Sequence, residues 1–562
     1  MVSAAPALGA VKDVVPGVTY ERVATGGQVI HITRVTPGPL IAVRPTKVGN
    51  PLGRLTTAVQ RRAGSGAVAA VNGDFFNWDT GVPSGLTLED GRLVTEPEAT
   101  RSALVFSATG LLSTIQTRVE GTWIASPTAQ EPKPKQYGFV NANRPADRDT
   151  DNRTILYTSD YGSLTPRGSR TEALIRLDSP GVVIPNRPIT GTVHSVRAGG
   201  GSGIPSGFVV ITGVGPKAAN VATLTAGRQV TLNAVLPDLP ANALSAMGGG
   251  PVLVTNGQAI MNGDANGFSS SQVKGRSART AIGQTASGQL LLVVSEGPLE
   301  GRVGMTANEQ ANLMARLGSR TAIAMDSGGS TGMVIRGKMM NAVRAGERSI
   351  ANGLVISYAG VQLTDPAALV SPNGDRVADS TTVIARSATS GSANIVLRRP
   401  GKKAVRLLYR GTVGPSGVRF PVGTGARLAP GVYEIAATLR PSDGSAATTH
   451  TRRLVIDDTL GALSVRKTGK AAKQNLKVRF GLRRNARVTV VAVNAKGKTV
   501  KVIARNRLLR RGWQNLSWNM KQGSRRAAAG TYTLKVTLRA SYREPNQLSR
   551  RFSVPKAAAK KK

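Results

Sequence analysis

The chain has 562 residues and a formal net charge of +43, from 74 Lys+Arg and 31 Asp+Glu. This length predicts about three domains, and a hydrophobic content of 40% excludes a disordered chain. Aromatic residues make up only 4%, against 65 Gly and 31 Pro, which favours many short strands and turns over long helices. The absence of cysteine excludes disulfides and thiolate metal sites.

The positive charge is concentrated at the C-terminal end. Residues 461–562 carry 28 Lys+Arg and a single acid, Glu544, which gives +27, whereas the other 460 residues carry only +16. A segment of this charge is expected to adhere to a polyanion through counterion release. Nucleic acid, anionic lipid and a phosphate-rich cell-wall polymer all remain open at this point.

The first residues suggest a secreted or cell-wall-associated protein. No run approaches the roughly 18 apolar residues of a membrane span. The opening Met1-Val2-Ser3-Ala4-Ala5 lacks the charged and apolar regions of a signal peptide. It is similar to the small-residue stretch that follows a cleavage site, so we expect a signal peptide that has been removed.

Residues 15–120 are predicted to form strands. Residues 30–35 alternate in polarity, and residues 86–94 form a predicted hairpin with Asp90-Gly91 at its turn. The apolar run before Asn72-Gly73-Asp74 ends at a turn that carries a carboxylate. Residues 125–275 hold further short strands, broken by Gly-rich loops such as 248–251.

A strand, a capped helix and a second strand follow at 290–294, 306–317 and 321–325. Thr306 and Glu309 form a predicted capping box, and Gly318 ends the helix. This order implies a crossover with the two strands parallel, and therefore a mixed sheet. Asp326 lies at the carboxyl end of the second strand, where such sheets tend to bind ligands. Residues 1–360 are therefore predicted to be an α+β, mixed-sheet domain of catalytic type.

Residues 361–556 are predicted to be all-β. The segments after Gly431 and Gly530 are near copies, 99 residues apart, which indicates two tandem sandwich modules of immunoglobulin size. We place the modules at 361–458 and 459–556, with a basic tail at 557–562. Trp513 and Trp518 lie among arginines, which suits nucleic-acid stacking, but alternation typical of strands favours core positions for both.

Candidate site residues are mostly carboxylates and guanidinium groups. Asp326 and the loop Ser327-Gly328-Gly329-Ser330 could join an acid to an anion-binding concavity, or could be an ordinary turn. Asp74 could be a second carboxylate in an acid–base pair, or simple turn chemistry. Glu296, after the strand at 290–294, is a third acidic candidate.

Arg279 and Arg348 suit phosphate recognition, although any one of 74 basic residues is more often surface charge. The three histidines, His31, His194 and His450, show no metal-type spacing. We therefore expect neither a metal nor another cofactor.

Five ordered motifs resemble those of the phosphodiester glycosidase family. The motifs are Asn72-Gly73-Asp74-Phe75-Phe76 with Pro83-Ser84-Gly85, Gly248-Gly249-Gly250-Pro251, Arg279-Thr280-Ala281-Ile282-Gly283, Asp326-Ser327-Gly328-Gly329-Ser330, and Glu347-Arg348 with Ala351-Asn352. The family usually has Gly where this chain has Asp74 and Ser327. Asp74 therefore ranks below Asn72 and Asp326 as a catalytic candidate. The modules at 361–556 resemble the Ig-like modules of the flagellar hook-cap protein.

The resemblance implies a hydrolase that cleaves the glycosidic bond of sugar-1-phosphodiesters in a cell-envelope or extracellular glycan, such as an exopolysaccharide. Asp326 would act in acid–base or charge-stabilising chemistry, and Asn72 would bond the sugar or the phosphate. Arg279 and Arg348 would clamp the phosphate, with the 327–330 loop and Gly249 in the same binding set. The C-terminal modules would adhere to an anionic cell-wall polymer.

Two other functions are considered. The first is a non-catalytic protein that binds cell-wall phosphoglycans. The second is nucleic-acid binding, which is not expected to be specific because no recognition helix or RNA motif is present.

Overall fold

A computed structural model describes residues 11–49, 51–98, 100–139, 141–145, 150–299, 301–343, 346–424, 428–469, 474–538 and 544–555. The chain divides into two compact units, Met1–Ala359 and Gly360–Lys562. They are called unit 1 and unit 2. The small-residue stretch at 1–5, predicted to follow a cleavage site, and the basic tail at 557–562 lie outside the described residues.

Strands dominate unit 1. They are β1 Lys12–Val15, β2 Val18–Thr25, β3 Gln28–Val35, β4 Ile41–Lys47, β5 Ala67–Asn72, β6 Thr87–Glu89, β7 Arg92–Thr95, β8 Ser102–Ser107, β9 Leu112–Ile115, β10 Glu120–Ala125, β11 Gln136–Phe139, β12 Asn141–Ala142, β13 Arg153–Thr158, β14 Arg167–Leu177, β15 Ile189–Gly200, β16 Phe208–Val214, β17 Gln229–Val235, β18 Ala243–Gly249, β19 Val252–Thr255, β20 Gln258–Ala259, β21 Arg279–Thr285, β22 Leu290–Ser295, β23 Pro298–Leu299, β24 Arg302–Val303, β25 Ser319–Ala324, β26 Met333–Ile335, β27 Lys338–Met339 and β28 Asn352–Tyr358. The helices are α1 Leu55–Arg61, α2 Ala218–Ala222, α3 Ser270–Lys274 and α4 Ala307–Arg316.

Two sheets pack face to face in the part of unit 1 that carries the candidate site. One has the order β1-β2-β3-β22-β21-β25-β19-β20, and the other has the order β27-β26-β5-β28-β4. Ile282 and Leu292 of the first meet Val71 and Leu354 of the second in one buried core. Helices α4 and α1 cover the outer faces, since each packs its apolar residues into a core on that side. The result is a helix–sheet–sheet–helix stack.

The rest of unit 1 consists of two further sheets. Their orders are β7-β6-β18-β8-β9 and β11-β10-β17-β15-β14-β16-β13-β12. A shared core lies between them and includes Trp123 and Leu88, both almost fully buried. Strand β18 ends at Gly249 and so carries one of the predicted motifs toward the stacked sheets.

Local predictions in unit 1 are confirmed where hydrogen-bonding chemistry fixes the chain. Strands β6 and β7 pair as a hairpin, and Asp90 and Gly91 both have positive φ, as this kind of tight turn requires. Thr306 and Glu309 form both hydrogen bonds of the capping box. Gly318 follows with φ +87°, a left-handed conformation that suits glycine.

The predicted mixed sheet around α4 is wrong. Strand β21 lies between β22 and β25 and pairs antiparallel with both. The two strands therefore run in the same direction without touching, and every pairing of this sheet is antiparallel. Parallel pairing occurs elsewhere in unit 1, between β12 and β13. Because the described helices are few and short, the α+β class is not confirmed, and strands are the main element.

Unit 2 is all-β, as predicted. Its strands are β29 Gln362–Leu363, β30 Leu369–Val370, β31 Thr381–Arg386, β32 Gly391–Arg398, β33 Ala404–Val413, β34 Val418–Val422, β35 Gly431–Pro441, β36 Thr448–Ile456, β37 Leu460–Thr468, β38 Asn475–Leu482, β39 Ala486–Asn494, β40 Thr499–Leu509, β41 Gly512–Trp518, β42 Lys521–Gln522, β43 Arg525–Arg526, β44 Gly530–Leu538 and β45 Gln547–Val554. Sheets β29-β31-β34 and β30-β36-β35-β32-β33 enclose one core. Sheets β37-β38-β41 and β40-β39-β44-β45 enclose another.

The near copies occupy equivalent strands, β35 and β44. Tyr433 donates its hydroxyl to the carbonyl of Ala429, and Tyr532 donates in the same way to Ala528. Each tyrosine therefore ties its strand to the turn that precedes it. The prediction of a core position is confirmed for Trp518, which is buried in the core, and is wrong for Trp513, which is 54% exposed.

No helix among the described residues is long and apolar enough to cross a membrane.

Candidate active site

The ends of β5 and β25 meet where the two stacked sheets adjoin. The amide of Asp326 donates to the carbonyl of Gly73 at 3.0 Å. The side-chain amide of Asn72 donates to the carbonyl of Asp326 at 2.8 Å. These two hydrogen bonds thus join two motifs that are more than 250 residues apart in the chain.

Asn72 is buried, and its side chain is occupied by the protein. Its Oδ1 accepts a hydrogen bond from the Thr280 hydroxyl at 2.6 Å and another from the Gly332 amide at 3.0 Å. Together with the bond to Asp326, these contacts use both ends of the carboxamide. Asn72 therefore fixes the positions of three chain segments, and its side chain is not presented to a ligand.

The Asp326 carboxyl is only partly buried. Its Oδ1 accepts from the Ser327 amide at 2.8 Å, and the Ser330 hydroxyl also hydrogen-bonds to it. Burial raises the pKa of Asp326 above its ordinary value, while these hydrogen bonds and the charges of Arg348 and Arg101 oppose the rise. An acid that keeps some solvent access and has a raised pKa is a candidate for proton transfer.

The amides of the glycine loop are largely used within the protein. Residues 328–330 form a single 3-10 turn. The amides already bonded to protein oxygens are those of Ser327, Gly328, Ser330 and Thr331. This differs from the predicted anion cradle, because only a loop with several unbonded amides offers a concavity for phosphate.

Arg348 lies against this turn. Its Nη1 lies 3.5 Å from the Ser330 hydroxyl oxygen, and its Cζ lies 4.7 Å from the ring centroid of Trp78. A Cβ on Gly329 would lie 2.5 Å from its Nη2, so the guanidinium rests on the glycine backbone. A contact chain therefore runs from Trp78 through Arg348 and Ser330 to Asp326.

A cavity of about 550 Å³ opens beside the turn. It is lined by Ser277, Ala278, Gly297, Pro298, Leu299, Gly328, Gly329, Thr331, Ala342, Val343, Gly346, Glu347 and Arg348. Thr331 is 2% exposed, and its hydroxyl has no hydrogen-bond partner among the described residues. A buried hydroxyl without a partner is costly unless a ligand satisfies it. The cavity thus has the polar and cationic groups of a binding site.

Asp74 lies behind Asp326 and is almost fully buried. Its two carboxylate oxygens accept from the amides of Phe75 at 2.8 Å and Gly85 at 2.6 Å. Burial raises its pKa to about 7, with the charge of Asp326 adding to the rise, while Arg101 and the two amides oppose it. The two carboxyls therefore interact electrostatically, although only Asp326 retains access to solvent.

Arg279 hydrogen-bonds to protein carbonyls and is not among the residues that line the cavity. Its Nε donates to the carbonyl of Met305 at 2.7 Å, and its Nη2 donates to the carbonyls of Gln272 and Gly275. The guanidinium thereby holds the end of α3 against the segment before α4. Gly249 is also buried, and a Cβ there would lie 2.7 Å from the carbonyl oxygen of Ala324, so it serves close packing.

Glu296 belongs to a buried network next to the cavity wall. Its Oε1 accepts from His31 Nε2 at 2.9 Å and from the Ala342 amide at 3.0 Å, and Arg302 pairs with the other oxygen. Tyr20 completes the network through His31 Nδ1 at 2.8 Å. Burial lowers the pKa of His31 although Glu296 opposes this. The network holds Ala342, which lines the cavity, in place.

Sequence reasoning missed Arg101 and Trp78. The Cζ of Arg101 lies 4.6 Å from the ring centroids of both Phe75 and Phe268, and its charge lowers the pKa of both aspartates. Nothing in the sequence separates it from the other basic residues. Trp78 could have been noticed, because it is one of only four tryptophans and follows the Phe75-Phe76 pair.

Asn352 also supports the site. Its Oδ1 accepts from the Asp74 amide at 2.8 Å, and its carbonyl accepts from the Gly73 amide at 3.0 Å. A Cβ on Gly73 would collide with the Asn352 side chain, which explains the glycine.

Among solved structures, the fold is similar to that of a hypothetical protein from Synechocystis. The TM-score is 0.51 at 20% identity, over 63% of this chain and 64% of that one. At this identity the likeness concerns the fold alone. A further similar structure is the zebrafish N-acetylglucosamine-1-phosphodiester alpha-N-acetylglucosaminidase catalytic domain auto-inhibited by its pro-peptide. Its TM-score is 0.32 at 14% identity, over 63% of this chain and 85% of that domain.

By sequence, the chain is similar to the SPbeta prophage-derived uncharacterized protein YomE of Bacillus subtilis (strain 168), with 35% identity over 81 residues. The match covers 14% of this chain and only 13% of that protein's length. The family model described as phosphodiester glycosidase matches residues 186–357, a span that includes Arg279, Asp326 and Arg348 but not the motif at Asn72. Over residues 186–357 the chain is therefore similar to the phosphodiester glycosidase family.

Proposed function

We propose that unit 1 hydrolyses the glycosidic bond of sugar-1-phosphodiesters in a cell-envelope or extracellular glycan. The observation that carries the proposal is Asp326, a residue of intermediate exposure whose carboxyl is linked through Ser330 to Arg348 on the wall of the cavity. An acid and a cation side by side suit a substrate in which a sugar carbon and a phosphate are joined by one oxygen. The family described for residues 186–357 supports the same chemistry.

In the proposed step, the bond between the anomeric carbon and the phosphate oxygen breaks. The phosphate monoester leaves with the electron pair, and a water molecule supplies the new hydroxyl of the sugar. The anomeric carbon passes through an oxocarbenium-like state, which a nearby carboxylate stabilises. Asp326 serves either as this stabilising charge or as the group that accepts the proton of the water.

Arg348 is assigned to the phosphate. Among the described residues it has no carboxylate partner within ion-pair distance, so its charge is available to a ligand. Arg279 is not assigned this role, because its Nε and Nη2 already donate to carbonyls. Asn72, Asp74 and Glu296 are assigned positioning roles through the contacts described above.

The test is a set of single substitutions assayed on a synthetic sugar-1-phosphate diester. Asp326→Asn is expected to lower kcat by about a hundred- to ten-thousand-fold, the usual contribution of acid–base catalysis. Arg348→Ala is expected to raise KM about tenfold or more, since it removes a charge-assisted contact. Turnover by Asp326→Asn at the wild-type rate would contradict the assignment.

Arg279→Ala is the matched control for Arg348→Ala, because each removes one arginine of the family motifs. We expect Arg279→Ala to lower thermal stability, since three carbonyls lose a buried donor. Arg348→Ala should leave stability nearly unchanged. If instead Arg348→Ala lowered thermal stability and Arg279→Ala raised KM, the phosphate contact would be assigned to Arg279.

A second candidate is phosphoglycan binding without turnover. Glu347 is the one carboxylate among the residues that line the cavity, and it already accepts hydrogen bonds from both the amide and the hydroxyl of Thr56. A second carboxylate for catalysis is therefore not evident, which favours this candidate. Glycosidases usually employ two carboxyl groups. Measurable affinity for a panel of glycosyl phosphodiesters, with no sugar released from any of them, would establish this candidate in place of the hydrolase.

We further propose that unit 2 adheres to an anionic polymer of the cell wall, which would place the protein outside the cell. The outer face of sheet β37-β38-β41 supports this, since Arg466, Lys477 and Arg479 are all exposed there. Trp513 lies on the same sheet with the Arg479 Cζ 4.2 Å from its ring centroid. Glu544 is the one acid of residues 461–562, so little opposes the charge.

This adhesion is tested with poly(glycerol phosphate) and the full chain at several salt concentrations. Replacing Arg466, Lys477 and Arg479 with Ala should reduce the slope of log affinity against log salt by about 2, as expected when about three phosphate contacts are lost. Replacing the exposed Lys501, Arg505 and Arg551 on the opposite sheet removes equal charge and serves as the control. Equal losses in both variants would show that total charge, and not this face, drives adhesion.

A further inference from the structure

Trp78 is the most exposed of the large apolar side chains described, at 67%, and it stands beside the candidate active site. Single exposed apolar residues are common on protein surfaces and need no explanation by themselves. Trp78 differs because its neighbour on one side is Arg348, which lines the cavity. The indole is therefore one guanidinium away from the region assigned to phosphate.

The loop that carries Trp78 is held in one conformation. Asn77 Oδ1 accepts from the amides of Asp79 and Thr80 and from the Thr80 hydroxyl, all within 3.1 Å. The Asn77 backbone also bonds to Val82 and Gly81, where the chain returns from the turn. This self-contained turn positions the indole without burying it, so that little side-chain ordering remains to be done when a ligand binds.

The chemistry around the indole favours a sugar ring. The Phe76 ring lies 5.2 Å from it at a tilt of 47°, and Arg348 lies over it, so the ring is braced while much of its surface stays open. An aromatic ring presents a flat apolar surface, which matches the C–H face of a pyranose. The adjacent guanidinium suits an anionic group next to that sugar.

We infer that Trp78 forms a stacking subsite for a second sugar, on the far side of the phosphate from the bond that is cleaved. This inference rests on the proposed function and deepens it. Trp78 is then a specificity-determining residue, which favours a sugar over a small alkyl group on the far oxygen of the phosphodiester. Arg348 binds the bridging phosphate between the two sugar positions.

The experiment compares two probes on the full-length protein. One is the methyl diester of a sugar-1-phosphate, and the other carries a disaccharide in place of the methyl group. Trp78→Ala should raise KM for the disaccharide probe about tenfold while kcat stays within about twofold, the pattern of a binding contact that is equal in the ground and transition states. The methyl probe should lose much less, about twofold or under, because it feels only the lost contact between the indole and Arg348, and Trp78→Phe should restore part of the affinity.

Leu111→Ala is the matched control, because Leu111 is 61% exposed in unit 1 and its backbone hydrogen-bonds to Ser107, which is not a candidate site residue. Equal losses on both probes would overturn the subsite, since they would show a structural role for Trp78. No loss on either probe would overturn it as well.

Failure of the proposed function gives a different result. If the wild type releases no sugar from either probe, binding of the disaccharide probe is measured by calorimetry for wild type and Trp78→Ala. A tenfold weaker Kd in the variant, as expected from loss of one stacking contact, supports the subsite without the hydrolase. Unchanged affinity overturns the subsite.

Discussion

The buried Asp74 makes the stability of unit 1 depend on pH in a defined direction. Its pKa rises from 3.8 to about 7 in the folded protein, mainly because burial disfavours the charged form. Between these two values the folded state holds a proton that the unfolded state has released, so the Asp74 contribution to stability is greatest at low pH and falls as pH rises toward 7. A difference of about 3 units at 1.36 kcal/mol each gives an upper limit of about 4 kcal/mol.

The perturbation is Asp74→Gly, which removes the titrating group, with Asp74→Asn as an uncharged variant of similar size. Free energies of unfolding are measured by urea denaturation at several values between about pH 4 and about pH 7. Both variants carry a constant cost from the lost amide contacts, but each should lose up to about 4 kcal/mol of the pH-dependent decline that the wild type shows. Asp90→Asn, at an exposed position, is the control.

A wild-type decline that persists unchanged in both Asp74 variants would refute this reasoning. It would mean that the Phe75 and Gly85 amides and the Arg101 charge keep the carboxylate ionised in spite of burial. In that case the Asp74 charge would act on Asp326 across the whole pH range.

Three other changes are expected to have distinct effects. Because the pKa of His31 is lowered in the folded state, the free energy of unfolding should decrease as pH falls below 6.5. His31→Gln should reduce this decrease, as measured by the same urea denaturation series. Trp518→Ala should lower the free energy of unfolding of unit 2 by about 3–5 kcal/mol, because Trp518 is in the core. Trp513→Ala should cost well under half of that, and calorimetry can measure both. Equal losses would contradict the difference in burial. Gly248→Ala should lower the free energy of unfolding by about 1–3 kcal/mol, because a Cβ would collide with the Asp74 carboxylate. The loss should be smaller when Asp74 is also replaced by Gly. An unchanged loss would show that the collision is with another group.

The sequence predicts well where a few neighbouring residues determine the structure. The turn at Asp90-Gly91 and the cap at Thr306 depend on contacts within three residues, and both are confirmed. The repeated Gly-x-Tyr strands likewise mark two equivalent strands of the sandwiches. The family resemblance is confirmed for 186–357 because several short motifs in a fixed order constrain each other.

Predictions fail where distant contacts decide. The helical crossover was correctly located, but the insertion of β21 between β22 and β25 is a property of the whole sheet. Arg279 and Arg348 look alike in sequence, and only the three carbonyls around Arg279 separate their roles. Burial of Asp74 arises from the close approach of Gly85 and Gly248, which lie far apart in the chain. Trp513 and Trp518 lie on opposite faces of β41, and only the face of Trp518 is covered by the core.

The central claim is that the bond broken lies between the sugar and the phosphate oxygen. It is tested most directly by hydrolysing a sugar-1-phosphate diester in water enriched in heavy oxygen and locating the label by mass spectrometry. The account predicts that the label enters the released sugar, and that Asp326→Asn slows this release about a hundredfold or more. Label found in the phosphate would show cleavage at phosphorus and would contradict the assignment of a glycosidase.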